Sequence, residues 1–112
     1  MNNKILASAL ASSLIAGTGA AFAAGVDADA ATDLARQSKC FKCHSVDKKK
    51  EGPSYHSLAE KYKGKADAED KLIKHVTVPN KVKVDGEEQD HPMVKIKDPA
   101  AIKNLVDWIL SR

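Results

Sequence analysis

Aromatic side chains are scarce in this chain, which has one Trp, two Tyr and two Phe among 112 residues. One of the two Phe lies in the N-terminal segment, so the remainder has only Phe41, Tyr55, Tyr62 and Trp108. A domain of this size is near the lower limit at which a hydrophobic core alone stabilises a fold, and such domains often recruit a disulfide, a metal or a cofactor. The scarcity of aromatics therefore indicates that a buried cofactor supplies part of the core.

A hydrophobic run long enough to span a bilayer is also missing. The main apolar stretch follows Lys4 and covers Ile5 to Ala16, which is shorter than the roughly 20 residues of a membrane-spanning helix. A basic residue, a short apolar run and the small-x-small sequence Ala21-Phe22-Ala23 are typical of a secretory signal peptide. We predict a signal peptide over residues 1–23 and an exported, periplasmic domain over residues 24–112, with an uncleaved membrane anchor as the alternative.

No charge of one sign dominates the chain, which has 18 basic and 15 acidic residues and a net charge of +3. The acids and bases are interleaved, and the predicted domain leaves the cytoplasm, so we expect no nucleic-acid partner. Two local clusters stand out: Lys39, Lys42, Lys48, Lys49 and Lys50 are basic, and Asp85, Glu87, Glu88 and Asp90 are acidic. Each cluster is either a solvated surface or part of a field that orients the protein toward a partner.

Apolar periodicity predicts a mostly helical domain. The four predicted helices cover Ala28 to Lys39 with Asp27 or Asp29 near its start, Tyr55 to Tyr62 before Gly64, Ala68 to Val76 before Pro79, and Asp98-Pro99 through Ile109. Between residues 79 and 98 the pattern changes, because valines alternate with lysines and Asp85-Gly86 is typical of a turn. A short hairpin near residues 82–96 and a ligand-carrying loop are the two interpretations of this region.

Both cysteines of the chain lie in one motif, Cys40-Phe41-Lys42-Cys43-His44. Two cysteines separated by two residues and followed by histidine are typical of c-type haem attachment, in which the thiols form thioether links to the haem vinyl groups. The histidine is then placed under the ring, where it binds iron. The motif predicts one covalent haem c per chain, with Cys40 and Cys43 as attachment points and His44 as an iron ligand.

Two other chemistries use a Cys-x-x-Cys pair. A thiol–disulfide redox pair is one alternative, but the alternating strands and helices of a thioredoxin-like domain are missing from the pattern. A zinc site is the other, and it needs two further ligands, whereas His56, His75 and His91 are scattered along the chain.

The second axial ligand is predicted to be Met93, the only methionine besides the initiator. It follows Pro92 in a polar segment where a methionine that merely fills the core is not expected. His91 is the competing ligand, although a solvated loop histidine is the simpler interpretation of that residue. Either ligand fills the sixth position, which leaves none open for oxygen or peroxide and favours one-electron exchange over bond chemistry.

With these residues in hand, the chain resembles the class I cytochromes c, in particular the small bacterial single-haem type. The resemblance runs from about Ala28 to Arg112 through Cys40 to His44, Gly52-Pro53-Ser54-Tyr55, Pro92-Met93 and Leu105 to Leu110. It implies an all-α cytochrome c fold of three to five helices wrapped around one haem. It also implies that the Pro53 carbonyl accepts the His44 imidazole N–H, and that Leu105 and Trp108 pack on the first helix.

The resemblance has two departures. Relatives often have an aromatic residue near the ligand methionine that donates to a haem propionate, and an asparagine three residues beyond the methionine. This chain has an acidic segment before Met93, and Ile96 stands at the later position. The propionate partners and the orientation of Met93 therefore do not carry over from the family.

The resulting expectation is a monomeric, periplasmic one-electron carrier that is not an enzyme and that meets redox protein donors and acceptors transiently. A haem enzyme or gas sensor with a labile sixth ligand, and an electron-transfer subunit docked on a larger oxidoreductase, are the alternatives.

Overall fold

The computed structural model describes residues 25–112. The signal peptide predicted over residues 1–23 lies outside the described residues. The described chain contains helices α1 (Ala28–Gln37), α2 (Tyr55–Tyr62), α3 (Ala68–Thr77) and α4 (Pro99–Leu110), strands β1 (Lys81–Val84) and β2 (Glu87–Asp90), and a short 3-10 turn at Cys40–Lys42. The prediction of three to five helices is therefore confirmed. Within residues 25–112, no helix is both long and apolar enough to cross a bilayer.

Aspartate side chains begin the first and last helices, as predicted. The Asp27 carboxylate accepts a hydrogen bond from the backbone N–H of Ala30, and the Asp98 carboxylate accepts one from Ala100. Each of these bonds satisfies an N–H that has no partner inside the helix. Pro99 occupies the first turn of α4, where its missing N–H costs nothing.

The core forms where α4 packs against the other three helices. Leu105 and Val106 of α4 are completely buried and belong to one apolar cluster with Leu34 of α1 and Leu72 of α3. A reciprocal pair of 2.9 Å hydrogen bonds joins the Asn104 side chain to the Asp27 backbone, which ties the start of α1 to α4. This framework fixes the end of α1, from which the Cys motif continues.

The region after α3 forms a hairpin. Its second strand is not at Val94 and Ile96, where apolar residues alternate with lysines and the sequence pattern predicts a strand. The partner of β1 is the acidic β2, paired from Lys81 opposite Asp90 to Val84 opposite Glu87, and residues 94 and 96 lie outside it. Asp85 and Gly86 have positive φ angles of 50° and 83°, the geometry of a tight two-residue hairpin turn. The two-residue turn thus sets the register, and it places residue 91 directly after the last strand pair.

Candidate haem-binding site

The Cys motif lies at a sharp change of direction after α1. Lys39 adopts the left-handed conformation, with φ of 61°, and turns the chain into the 3-10 segment. The backbone N–H groups of Cys43 and His44 then both donate to the carbonyl of Cys40. This compact turn brings Cys40, Cys43 and His44 together in the wall of a single cleft.

The His44 ring is held in place by the backbone of Pro53. Its Nδ1 lies 2.6 Å from the Pro53 carbonyl oxygen. A carbonyl can only accept, so Nδ1 carries the proton and Nε2 is left with its lone pair free to bind a metal. The structure thus brings Pro53 to the position that the family resemblance implies.

Gly52 is needed for this close approach. A Cβ atom at residue 52 would lie 2.8 Å from Cε1 of His44 and 3.1 Å from the Cys43 carbonyl oxygen. Real Cβ atoms do not approach other atoms this closely, so any side chain at residue 52 would displace the His44 ring. The Gly52-Pro53 pair is therefore part of the site and not a plain turn.

Tyr55 supports one face of the same ring, a role that sequence reasoning missed. Its side chain is 2% exposed, its ring stacks on that of His44 at 5.2 Å, and it meets Trp108 edge-on at 5.5 Å. Such aromatic pairs contribute about 0.5–1.5 kcal/mol beyond the area they bury. Tyr55 thereby connects the His44 ring to the aromatic core.

The cleft has the size and lining that a large apolar cofactor needs. Its volume is about 430 Å³, within the range of roughly 300–1,000 Å³ for cofactor sites. Its apolar wall is formed by Leu58, Leu72, Val76, Val82, Val84, Leu105 and Ile109. The two thiols, one metal-binding histidine and this apolar wall fit a covalently attached haem.

The two thiols differ in their surroundings. Burial raises the pKa of the Cys40 thiol, and a hydrogen bond with Tyr55 acts in the opposite direction. Burial also raises the pKa of Cys43, with a further contribution from the nearby Glu51 carboxylate, which accepts from Sγ at 3.3 Å. A raised thiol pKa disfavours the thiolate that a disulfide oxidoreductase uses.

His91 lies in the cleft, so its interpretation as a solvated loop histidine is wrong. Its ring centre is 6.3 Å from that of His44 and 4.1 Å from that of His75. Its Nδ1 is buried and has no hydrogen-bond partner in the described chain. Burial, followed by the neighbouring His75 and His44, lowers the pKa of His91 to about 4, so the ring is neutral and its lone pair is available at neutral pH.

Met93 is placed differently from the other predicted site residues. Its side chain is 46% exposed, and the cleft lining contributed by this segment consists of Gln89, Asp90, His91 and Pro92. The structure thus brings Cys40, Cys43, His44 and Pro53 together and leaves Met93 outside the group. His75 is partly buried beside His91, and His56 is exposed on α2.

The basic and the acidic cluster differ in how far neighbouring groups neutralise their charges. In the hairpin, Lys81 and Lys83 stand opposite Asp90 and Glu88, and the Lys81 ammonium lies 2.7 Å from the Asp90 carboxylate. The acidic cluster is therefore partly neutralised by its own partner strand. In the basic cluster, Lys39, Lys42, Lys48, Lys49 and Lys50 are all exposed, and the Lys50 ammonium also donates to the carbonyl of Phe41.

A zinc site finds no support in the described residues. Between residues 25 and 112, no group of three or more His, Cys, Asp or Glu side chains has the geometry to hold a metal ion. The cysteine pair therefore lacks, within that range, the further protein ligands of a closed tetrahedral zinc site.

Known proteins resemble this chain along the whole described domain. The family model for cytochrome c matches residues 28–112. Cytochrome c-552 of Hydrogenobacter thermophilus is 38% identical over 82 residues, which cover 70% of this chain and 76% of that protein. Cytochrome c-551 of Pseudomonas denitrificans is 34% identical over 80 residues, covering 70% of this chain and 93% of that protein.

Two solved structures share the fold. The class 1 cytochrome MtoD from Sideroxydans lithotrophicus ES-1 is 62% identical with a TM-score of 0.74, covering 77% of this chain and 96% of that one. Wild-type Nitrosomonas europaea cytochrome c552 is 34% identical with a TM-score of 0.59, covering 71% and 96%. Together with the Cys40 to His44 motif at the wall of an apolar cleft, these similarities show that the chain belongs to the cytochrome c family as a small class I cytochrome with one covalent haem c.

Proposed function

We propose that this protein is an exported, periplasmic one-electron carrier and not an enzyme. The observation that carries the proposal is the fixed His44 ring, held by the Pro53 carbonyl at 2.6 Å and by Tyr55 on its face, at the wall of an apolar cleft. A His44 ligand held this firmly would keep the iron geometry similar in both oxidation states. Similar geometry keeps the reorganisation that accompanies electron exchange small.

Residues of this chain have distinct roles at the proposed site. Cys40 and Cys43 hold the haem covalently, and His44 is the fifth iron ligand. When bound, the haem supplies the one-electron ferric/ferrous couple. The apolar lining excludes water from the haem, while Lys39, Lys61 and Lys83 of the cleft wall offer cationic partners for its carboxylates.

The sixth ligand in this proposal comes from the segment after β2, which closes the cleft opposite His44. His91 and Pro92 of this segment line the cleft. With both axial positions filled by protein ligands, the iron would have no open site for a substrate, which would favour electron transfer over catalysis.

The exposed lysines around the motif support a transient encounter with an acidic redox protein. Lys42, Lys48 and Lys49 are exposed and close in sequence to Cys43, which lines the cleft. A positive field of this kind speeds association and weakens with added salt. Electron exchange with a negatively charged acceptor should therefore slow as ionic strength rises, in stopped-flow measurements on the monomeric protein.

A haem enzyme or gas sensor with a labile sixth ligand is the second candidate, and the exposure of Met93 is the observation that favours it. Carbon monoxide separates the two functions. The carrier gives a low-spin ferric spectrum and a ferrous form that resists carbon monoxide. A high-spin ferric spectrum and rapid carbon monoxide binding would instead support the enzyme or sensor.

Purification from the periplasm of an expressing cell tests the remaining parts of the proposal. We expect a monomer on gel filtration, haem that stays on the chain in a denaturing gel, and reversible one-electron titration. A stoichiometric partner that co-purifies would instead identify the chain as a docked electron-transfer subunit. A protein retained in the membrane fraction would contradict cleavage of residues 1–23.

A further inference from the structure

The segment after β2 has neither helix nor strand, yet two consecutive backbone bonds fix it in place. Residues 91–98 form no regular element, and the N–H of Val94 donates to the carbonyl of Val76 in α3 at 2.9 Å. The next N–H, that of Lys95, donates to the side-chain hydroxyl of Ser38 at 3.0 Å. We propose that Ser38 is a positioning residue for the sixth iron ligand, because its hydroxyl anchors the segment that carries this ligand. The inference rests on the proposed function, in which the haem iron takes its sixth ligand from that segment.

Ser38 is itself held at the end of α1. Its backbone N–H donates to the carbonyl of Leu34 at 2.9 Å, which extends the hydrogen bonding of the helix by one residue. The residue is 3% exposed, and it lines the cleft two positions before Cys40. The hydroxyl is therefore fixed by the same helix end from which the haem-attachment motif continues.

The bond between Ser38 and Lys95 joins the attachment motif to the ligand segment. The two residues are 57 positions apart in the sequence. Ser38 precedes Cys40, whereas Lys95 follows Met93, the sixth ligand that the sequence predicts, by two residues. A ligand in an irregular segment has no helix or strand to orient it, and groups outside the ligand set then fix its position. Ser38 supplies such a group from the side of the cleft where the haem is attached.

Ser38 also provides the bond of this segment that a simple substitution can remove. The N–H groups of His91 and Val94 donate to the backbone carbonyls of Asn80 and Val76, which every side chain would leave in place. The acceptor for Lys95 is a side-chain oxygen, and alanine at residue 38 takes it away. The loss of one such hydrogen bond shifts the opening equilibrium of the segment by roughly tenfold.

Imidazole binding to the ferric holoprotein measures how readily the segment opens. Added imidazole occupies the sixth position only after the protein ligand has left, so its apparent affinity is proportional to the population of the open form. Ser38→Ala should therefore increase the apparent affinity for imidazole by about tenfold. A titration followed by the Soret absorbance gives this value for the wild type and the variant.

Asp27→Ala is the matched control at the other end of the same helix. It also removes a side-chain acceptor from a backbone N–H, because the Asp27 carboxylate accepts from Ala30 at 3.0 Å. Both variants should unfold at a lower denaturant concentration than the wild type, but only Ser38→Ala should bind imidazole more tightly. Equal imidazole affinity in Ser38→Ala and the wild type would overturn the proposal. An increase of the same size in Asp27→Ala would overturn it as well.

Hydrogen exchange in the wild type decides the question even if Ser38→Ala does not fold. In the ferrous holoprotein, the amide hydrogen of Lys95 should exchange at least about tenfold more slowly than in an unstructured peptide, as NMR spectra can measure. Exchange at the peptide rate would overturn the proposal. Haem that leaves the wild type in a denaturing gel, or a high-spin wild-type spectrum, would refute the proposed function itself. Covalent, low-spin haem with an unprotected Lys95 amide would refute only the role of Ser38.

Discussion

The two walls of the haem cleft are built from different kinds of sequence. One wall, residues 40–55, consists of a dense motif whose members contact one another directly, as in the 2.6 Å contact between His44 and Pro53. The other wall, residues 80–94, is an acidic hairpin followed by a segment that is tied to α3 by scattered backbone bonds. The motif wall attaches the cofactor, and in the proposed function the hairpin wall is followed by the segment that supplies the sixth iron ligand.

The largest expected effect concerns the motif wall. The double substitution Cys40→Ala and Cys43→Ala removes both thioether links, so the haem should be lost completely under denaturing conditions. A haem-stained gel and the absorbance of the purified protein measure this. Lys42→Ala, an exposed residue between the two cysteines, is the control and should retain full attachment. Haem that stays on the double variant would show that the motif does not attach it.

A smaller effect is expected for Gly52→Ala, which forces a methyl group to within 2.8 Å of the His44 ring. Overpacking of this kind costs about 1–3 kcal/mol, so denaturant unfolding should show a loss of that size, with a changed ferric spectrum. Gly25→Ala is the matched control, since a Cβ at residue 25 meets nothing within 4 Å. Equal stability and unchanged spectra for both variants would mean that the close approach at Gly52 is unimportant.

The hairpin wall is tested by a pair of glycines that share one backbone conformation. Gly86 and Gly64 have φ angles of 83° and 73°, and a Cβ atom added at either residue would meet nothing within 4 Å. Alanine in the left-handed region costs about 1–2 kcal/mol, so Gly86→Ala and Gly64→Ala should lose similar stability in urea. Only Gly86→Ala should also shift the reduction potential, because its turn sets the position of the segment after β2, from which the proposed sixth ligand comes. If both variants have the same reduction potential, the hairpin turn does not control the position of the iron ligand.

The smallest effect is expected at the edge of the hairpin. Lys81→Ala removes the 2.7 Å ion pair with Asp90, whose side chains are 56% and 84% exposed. Exposed ion pairs contribute about 0–1 kcal/mol and are screened by salt. The free energy of unfolding should therefore fall by less than about 1 kcal/mol at low salt, and the difference should shrink in concentrated salt. A loss that persists in salt would indicate a packing role for Lys81.

The motif wall and the helices are predictable from sequence because their signals are local. Asp27 and Asp98 begin helices by capping, and Cys40 to His44 have fixed spacing that follows from haem chemistry. The hairpin is harder to predict because its β2 strand is acidic and lacks apolar alternation, so the pattern points to residues 94 and 96 instead. Sequence reasoning identifies Tyr55 only as a helix residue, since its contact with His44 depends on how the intervening loop folds back.

The position of His91 is not predictable for a related reason. In sequence, it differs from a solvated histidine only by its closeness to Pro92 and Met93. Its burial depends on the register of the hairpin and on the bond to Asn80, which join residues that are separated along the chain. The prediction of Met93 rests on a single methionine in a polar segment, and the departures of this chain from the family pattern lie in the same segment.

The most direct test of the account is the near-infrared magnetic circular dichroism spectrum of the ferric wild-type protein with its haem attached. This spectrum contains a charge-transfer band whose position depends on the pair of axial ligands. We expect the band of a low-spin, six-coordinate iron, with His44 and a second ligand from the segment after β2. A high-spin spectrum would contradict the proposed electron-transfer role.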